Sequence, residues 1–256
     1  MQAAQRWPRS SPEPDEMTEA RPVLVTRAEP GATLTCQRLA ALGYHAVNAA
    51  TAQIAATDGA PDWTGAGAVI VTSPNGAGQL TRLGAPPSLK IFAVGPASAA
   101  AARAAGHEDV VTGSGDAAGL LDIILNAPDP GRLFHVRGRD QAFDLSGALT
   151  AMGRDAQSHV AYEARPVDAL PEAALQALGP GAVVLLHSPL GTERLLALVE
   201  AAGRLSALGG AHILAISDAA AGPLRHSGAG RVTVAQRPDE AALLEALSTI
   251  LAPRET

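Results

Sequence analysis

Residues 68–83, AVIVTSPNGAGQLTRL, and residues 182–198, AVVLLHSPLGTERLLAL, share one pattern: an apolar run of strand length, Ser-Pro-x-Gly, then a helical stretch. A continuous β-branched run ended by a turn is what a strand covered on both faces looks like. Serine followed by proline fits a helix N-cap and the first helical position. Working outward, VLVTRAEPGATLTCQRLAALGYHAV (23–47) resembles LFHVRGRDQAFDLSGALTAMGRDAQ (133–157), a strand, a basic turn, a helix ending in Leu-Gly or Met-Gly, and a second strand. IFAVGPASAAAARAAGHEDVVTGSGDAAGLLDIIL (91–125) likewise resembles ILAISDAAAGPLRHSGAGRVTVAQRPDEAALLEAL (213–247). Leu24 maps to Phe134 and Val69 to Val183, so the copies lie roughly 110 residues apart, a domain-sized repeat. The order is A, B, A′, B′, and these residues leave open whether A folds with B or with B′. Ala49–Ala55 and His159–Arg165 fall at equivalent places and suit crossovers.

Strands are expected at Val23–Thr26, His45–Asn48, Ala68–Val71, Ile91–Val94, Val110–Val111, Leu133–Val136, Ala156–Tyr162, Val183–His187, His212–Ile216 and Val232–Val234. Ala/Leu-rich helices alternate with them, as at Ala32–Leu42, Ala99–Ala105, Ala117–Leu125 and Glu240–Leu251. Alternating βα units imply an α/β fold with parallel sheets. Aromatics are only 3% of the 256 residues, so the core has to be built from Ala, Leu and Val.

The same scarcity leaves no stacking platform for single-stranded nucleic acid. A net charge of −6 and the lack of any Lys/Arg run argue against a phosphate backbone as partner. Cys36 is the only cysteine, which excludes an intrachain disulfide, and the seven His residues show no HExxH or HxH spacing, so no bound metal is expected. No apolar run reaches the about 20 residues of a membrane span. Residues 1–20 lack the hydrophobic stretch of a signal peptide and are Pro-, Ser- and charge-rich. They are expected to be a disordered lead-in, with Met17 a second candidate start and the cytoplasm the compartment.

Ligands of parallel α/β sheets bind beyond the carboxyl ends of the strands. The turns there are TRAEPG (26–31), TSPNG (72–76), GPAS (95–98), RGRD (137–140), HSPLG (187–191), SDAA (217–220) and RPDE (237–240). Ser73 and Ser188 fit caps, and Ser217, Asp218 and Asp239 can cap as well. Each such turn aims free amides and a positive helix end outward, favouring an anion by about 0.3–1 kcal/mol. Arg27, Arg137 and Arg139 add positive charge, and two copies of these turns would line a wide cleft with many weak anion sites. Taken singly, each Ser-Pro is more often only a cap and each arginine a solvated surface group. No GxxxxGK[ST], GxGxxG or GxSxG is present, and GSGDAAG (113–119) is only a loose imitation of a dinucleotide loop. Of two tyrosines, Tyr44 fits a strand entry, whereas Tyr162 lies in the second crossover. A phenol stays protonated at neutral pH and can give a proton to a departing hydroxyl.

With VLVTR, VIVTSPNG, FAVGPASAAAARAAG, VRGRD, AYEARP, LLHSPLG and RPDEAALLEAL in this order over about residues 22–251, the chain resembles the uroporphyrinogen-III synthases. The resemblance implies two similar parallel-sheet, flavodoxin- or Rossmann-like domains joined by a two-stranded linker. One domain would take residues 22–48 with 167–252, the other 56–158, with 49–55 and 159–166 as antiparallel linker strands. It implies closure of hydroxymethylbilane, a linear tetrapyrrole bearing eight carboxylates, to uroporphyrinogen III without cofactor or metal. With no exposed apolar stripe that requires an oligomer, a monomer with no nucleic-acid or membrane partner is expected. Tyr162 matches the functional tyrosine. Arg27, Ser98, Ser217, the Ser73-Pro74-Asn75-Gly76 turn, Arg137-Gly138-Arg139, and Ser188, Pro189 and Gly191 match positions lining the substrate site. The chain departs from the pattern at NAATAQI (48–54), and at Ala219 and Ala220, where some relatives carry hydroxyls. Two other readings fit a duplicated α/β chain: a non-catalytic two-domain binder of a small anion, and a degenerate synthase domain used for regulation.

Overall fold

The computed structural model describes residues 21–141 and 143–252, so the lead-in expected over residues 1–20 lies outside the described residues. In chain order the elements begin β1 (Val23–Val25), α1 (Gly31–Ala41), β2 (Ala46–Asn48), β3 (Ala52–Ala56), β4 (Ala66–Val71), α2 (Pro74–Ala77), β5 (Lys90–Ala93), α3 (Pro96–Ala104), β6 (Val110–Thr112) and α4 (Ala117–Asn126). They continue β7 (Arg132–Gly138), α5 (Leu145–Ala151), β8 (Ala156–Pro166), α6 (Glu172–Ala177), β9 (Val183–Leu186), α7 (Pro189–Ala201), β10 (His212–Ala215), α8 (Asp218–Ala221), β11 (Val232–Val234) and α9 (Glu240–Leu251). Contacts divide the chain into two compact units, one of residues up to 27, 31–51 and 168 onward, the other of residues 28–30 and 52–167.

The first unit holds a five-stranded sheet in the order β11-β10-β9-β1-β2, parallel throughout. The strands of A therefore share a sheet with those of B′. Val183 and Leu185 point into one apolar layer with Leu39, Leu243 and Leu247, while Val184 and Leu186 point into another with Leu178, Leu195 and Val199. Successive strand residues face opposite sides, and here both sides are covered by helices. That is why β9 is apolar at every position and fully buried.

The second unit holds six strands in the order β3-β8-β7-β4-β5-β6. All pairs are parallel except β3 with β8, which is antiparallel from Ala52↔Pro166 to Ala56↔Tyr162. A′ has joined B, and with β3 set aside the strand order matches that of the first unit. Val69, Val71 and Leu80 fill one layer; Ile70, Phe92, Leu120, Ile124 and Leu149 fill the other. Residues 52–55, read from sequence as part of the crossover Ala49–Ala55, form with Ala56 the edge strand β3, and β8 runs unbroken for 11 residues.

Duplication extends to the helix ends. After α1, Gly43 lies at φ 84° and Tyr44 N–H donates to the Leu39 carbonyl; after α5, Gly153 lies at φ 83° and Arg154 N–H donates to the Leu149 carbonyl. A left-handed residue that lets the chain close back onto the last turn is the reason for Leu-Gly and Met-Gly at these places. Tyr44 packs, partly buried, against the apolar layer entered by β2.

Candidate functional site

In the second unit β4 ends at Val71, and Ser73 caps α2 by accepting the Gly76 N–H at 3.0 Å. Pro74 has no N–H to place, and the Asn75 amide, in the first turn, has no intrahelical acceptor. Gly76 is required by closeness, since a Cβ there would lie 2.8 Å from the Val136 carbonyl oxygen on β7. The Ser73 hydroxyl also meets the Tyr162 hydroxyl at 2.7 Å. Tyr162 sits in β8, opposite Ala56 on one side and Gly138 on the other. Its ring lies across Gly138, where a Cβ would come within 2.8 Å of ring carbons Cε2 and Cζ and 3.0 Å of the hydroxyl oxygen. The fold thus brings three of the expected site residues, Ser73, Gly138 and Tyr162, into one contact. Burial pushes the phenol above its ordinary pKa; hydrogen bonds from Ser73 and the Gly138 backbone pull the other way, and Asp140 adds to the rise. Tyr162 therefore keeps its proton at neutral pH.

The arginines are more occupied than their sequence positions suggest. Arg137 folds back so that Nη1 donates to the carbonyls of Gly138 (2.9 Å) and Arg139 (3.2 Å), bracing its own turn. Arg139 donates to Glu163 at 2.8 Å, and Arg165 donates to the other oxygen of the same carboxylate at 2.8 Å. These bonds hold Glu163 below the usual carboxylate range, Arg165 first and Arg139 second. In the first unit Arg27 lies 3.7 Å from Glu240, which Arg38 also meets at 2.7 Å. Each trio of two cations and one carboxylate retains one positive charge. Ser98 is 2% exposed inside α3, so its hydroxyl belongs to the core, and the GPAS turn presents backbone rather than that side chain.

The first unit repeats the turn chemistry. Ser188 caps α7 through the Gly191 N–H at 3.0 Å, leaving the Leu190 amide unclaimed by the helix after Pro189. Ser217 caps α8 through the Ala220 N–H at 3.2 Å; Asp218, expected as a further cap, is instead the first residue of that helix. Asp239 caps α9 through the Ala242 N–H at 2.8 Å. Thr192, fully buried, donates to the Ala220 carbonyl at 2.8 Å and ties the starts of α7 and α8 together. Asp116 in the GSGDAAG stretch caps α4 through Gly119, which accounts for that motif without a nucleotide.

His187 is the residue that sequence reasoning passed over, although it stands in the quoted HSPLG. Burial, with Arg27 second, pushes its pKa down to about 3, so it is neutral. Both ring nitrogens are buried and neither has a partner. Leaving such a donor unmade costs about 1–3 kcal/mol. The available signal is a polar residue immediately after an entirely apolar buried strand. Among the described residues no group of three or more His, Cys, Asp or Glu is placed to hold a metal. A cavity of about 580 Å³ in the first unit lies along β11 and α9, against Arg21, His212, Arg231, Gln236 and Glu245, and is lined by neither the capping serines nor His187.

The family model described as uroporphyrinogen-III synthase HemD matches residues 34–245. Among solved structures, the uroporphyrinogen-III synthetase of Helicobacter pylori is similar, with 17% identity, a TM-score of 0.62 and coverage of 90% of this chain and 99% of that one. A mutant uroporphyrinogen III synthase of Thermus thermophilus is similar at 17% identity and a TM-score of 0.52, covering 91% of this chain and 99% of the other. At these identities the likenesses speak for the fold. No curated protein matches the chain.

Proposed function

Because this chain belongs to the uroporphyrinogen-III synthase family, we propose that it converts hydroxymethylbilane into uroporphyrinogen III, as a cofactor-independent cyclising hydro-lyase. The observation that carries the reading is the Tyr162–Ser73 hydroxyl pair at 2.7 Å, beside the capped turn of α2. In this reading Ser73 donates to the phenolic oxygen, and the phenolic proton goes to the terminal hydroxyl of the substrate. The C–O bond breaks, water leaves, and an azafulvene cation remains. The substituted carbon of ring D attacks it, and the spiro intermediate fragments and recloses with that ring inverted. The proton lost on reclosure balances the one given up by the phenol, so neither a metal nor a redox group enters the scheme.

Recognition is of carboxylates. The free amides of Asn75 and Leu190, at the helix starts of the Ser73–Gly76 and Ser188–Gly191 turns, favour anions, as does the Ser217 turn. Gly138 contributes by letting the tyrosine ring lie flat on the backbone. Arg27, Arg137 and Arg139 supply positive potential and shape the turns. The same reading takes 22–48 with 167–252 as one domain and 56–158 as the other, with 49–55 and 159–166 as linker strands. The contact division supports the discontinuous first domain, although it counts residues 52–167 with the second, and the antiparallel β3–β8 pair is in keeping with the two linker strands. It also takes the enzyme to be a cytoplasmic monomer; no helix among the described residues is long and apolar enough to cross a membrane.

Holding one conformer of a flexible chain supplies most of the acceleration here, through proximity rather than acid strength. The deciding assay incubates the protein with fresh hydroxymethylbilane, oxidises the product and separates the isomers. Type III is expected. Type I alone, the product of spontaneous closure, would end the proposal.

A further inference from the structure

His187 stands between the carboxyl end of β9, the middle strand of its sheet, and the Ser188 cap of α7. A neutral imidazole always carries one donor and one acceptor. Other imidazoles are better served: His135 meets Thr72 Oγ1 at 3.0 Å and Ser146 Oγ at 3.3 Å, His212 meets Thr233 Oγ1 at 2.8 Å, and His107 and His159 each leave only one ring nitrogen buried without a partner. Among the described residues His187 alone has both ring nitrogens buried without a partner. The duplicated copy makes the contrast sharper. The residue before the cap there is Thr72, and its hydroxyl is used internally by His135. Buried polar groups of native proteins are nearly always hydrogen-bonded, and an exception at a strand tip calls for a partner that comes and goes.

We infer that His187 is a substrate-binding residue whose ring N–H, buried and unpartnered in the free protein, takes a carboxylate of the linear tetrapyrrole at the turn that starts α7. The inference rests on the synthase reading. It assigns to the first unit a side-chain donor where the family resemblance supplied only backbone, serines and Arg27. Burial first, and Arg27 second, keep the ring neutral in the free protein, and a bound carboxylate faces a donor flanked by positive potential. A neutral donor suits a site that must also release its product, because it attracts the anion less than a fixed cation would.

The test compares wild type, His187→Phe and His187→Gln in the isomer-resolved assay, with thermal melting of each free protein. His187→Phe should melt no lower than wild type, since it removes two unmade hydrogen bonds from a buried place. Its KM for hydroxymethylbilane should rise about tenfold while kcat stays within about twofold, as loss of one charge-assisted hydrogen bond predicts. His187→Gln, which keeps a donor, should recover most of that loss. An unchanged KM in His187→Phe, or an equal rise in both variants, overturns the role of His187 and leaves the synthase reading standing. Type I product alone from the wild type overturns both. Should the Phe variant not fold, the wild type decides: with ¹⁵N-labelled imidazoles, the resonance absent from His187→Gln must move on saturation with uroporphyrinogen III, and one that stays in place refutes the contact.

Discussion

Burial raises the pKa of Tyr162 further, and in the proposed reaction Ser73, 2.7 Å from the phenolic oxygen, donates to it and leaves the phenolic proton for the substrate. Tyr162→Phe is expected to lower kcat about tenfold without abolishing turnover, less than the roughly 10²–10⁴ typical of a general acid, because conformer selection survives the change. Wild-type turnover by that variant would remove the phenol from the mechanism. Gly138→Ala tests the same contact from the other side. A Cβ 2.8 Å from the ring must displace it, so kcat should fall as in Tyr162→Phe while far-UV circular dichroism is kept. At this scale the sequence is only half legible. Ser73, Ser188 and Ser217 are readable as caps because capping is local. The Tyr162–Ser73 contact spans 89 residues and exists only because A′ joins B in one sheet. Nor can sequence tell that Arg139 is spent on Glu163 or that Ser98 is buried, since both follow from side-chain direction in the folded unit.

Among the elements, the strands of A, B, A′ and B′ are legible from their apolar runs, because parallel strands between two helical layers have no polar face. β3 is not, since AQIAA is short, only half-buried and alternates weakly. Helix ends are legible through glycine. Replacing Gly43 or Gly153 by Ala puts a Cβ on a left-handed backbone, with an expected loss of about 1–2 kcal/mol in urea unfolding. Each change should cost a similar amount, because the two turns are built alike. A loss confined to one of them would show that the second copy has relaxed its geometry.

Taken as a whole, the titrating groups act in one direction below neutrality. Burial is the leading cause that lowers the pKa of His107, His135, His159, His187 and His212, with His135 pushed to about 4 and His187 to about 3. Above pH about 6.5 these rings are neutral folded or unfolded, so they cost nothing. As the pH falls below that value the unfolded chain takes up protons that the folded one refuses, and stability drops. Asp62, Glu163 and Asp239, whose pKa values are lowered, remove more below the ordinary carboxylate range. At the other end Tyr162, raised, costs stability as the pH climbs past its ordinary value of 10.0. Melting temperature should therefore form a plateau between about pH 6.5 and 10 and decline by pH about 5, before carboxylates titrate. A melting temperature that holds level from pH about 7 to about 5 would contradict the histidine assignments.

The pairing of A with B′ around the whole of the other unit also sets an order of events at the ribosome. Thr26 Oγ1 donates to the Leu185 carbonyl, 159 residues further along, so β1 waits for its neighbour through most of synthesis. At roughly 5–20 residues per second that delay is on the order of ten seconds or more. Val23–Val25, the first strand of the described residues, leaves the tunnel with β2 soon behind it but β9, its neighbour on the other side, untranslated, while the sheet within residues 52–167 is the first to close. Whatever shields that early apolar stretch in the meantime acts on the nascent chain, and a stop codon after residue 167 would yield one finished unit preceded by β1, α1 and β2 without the rest of their sheet.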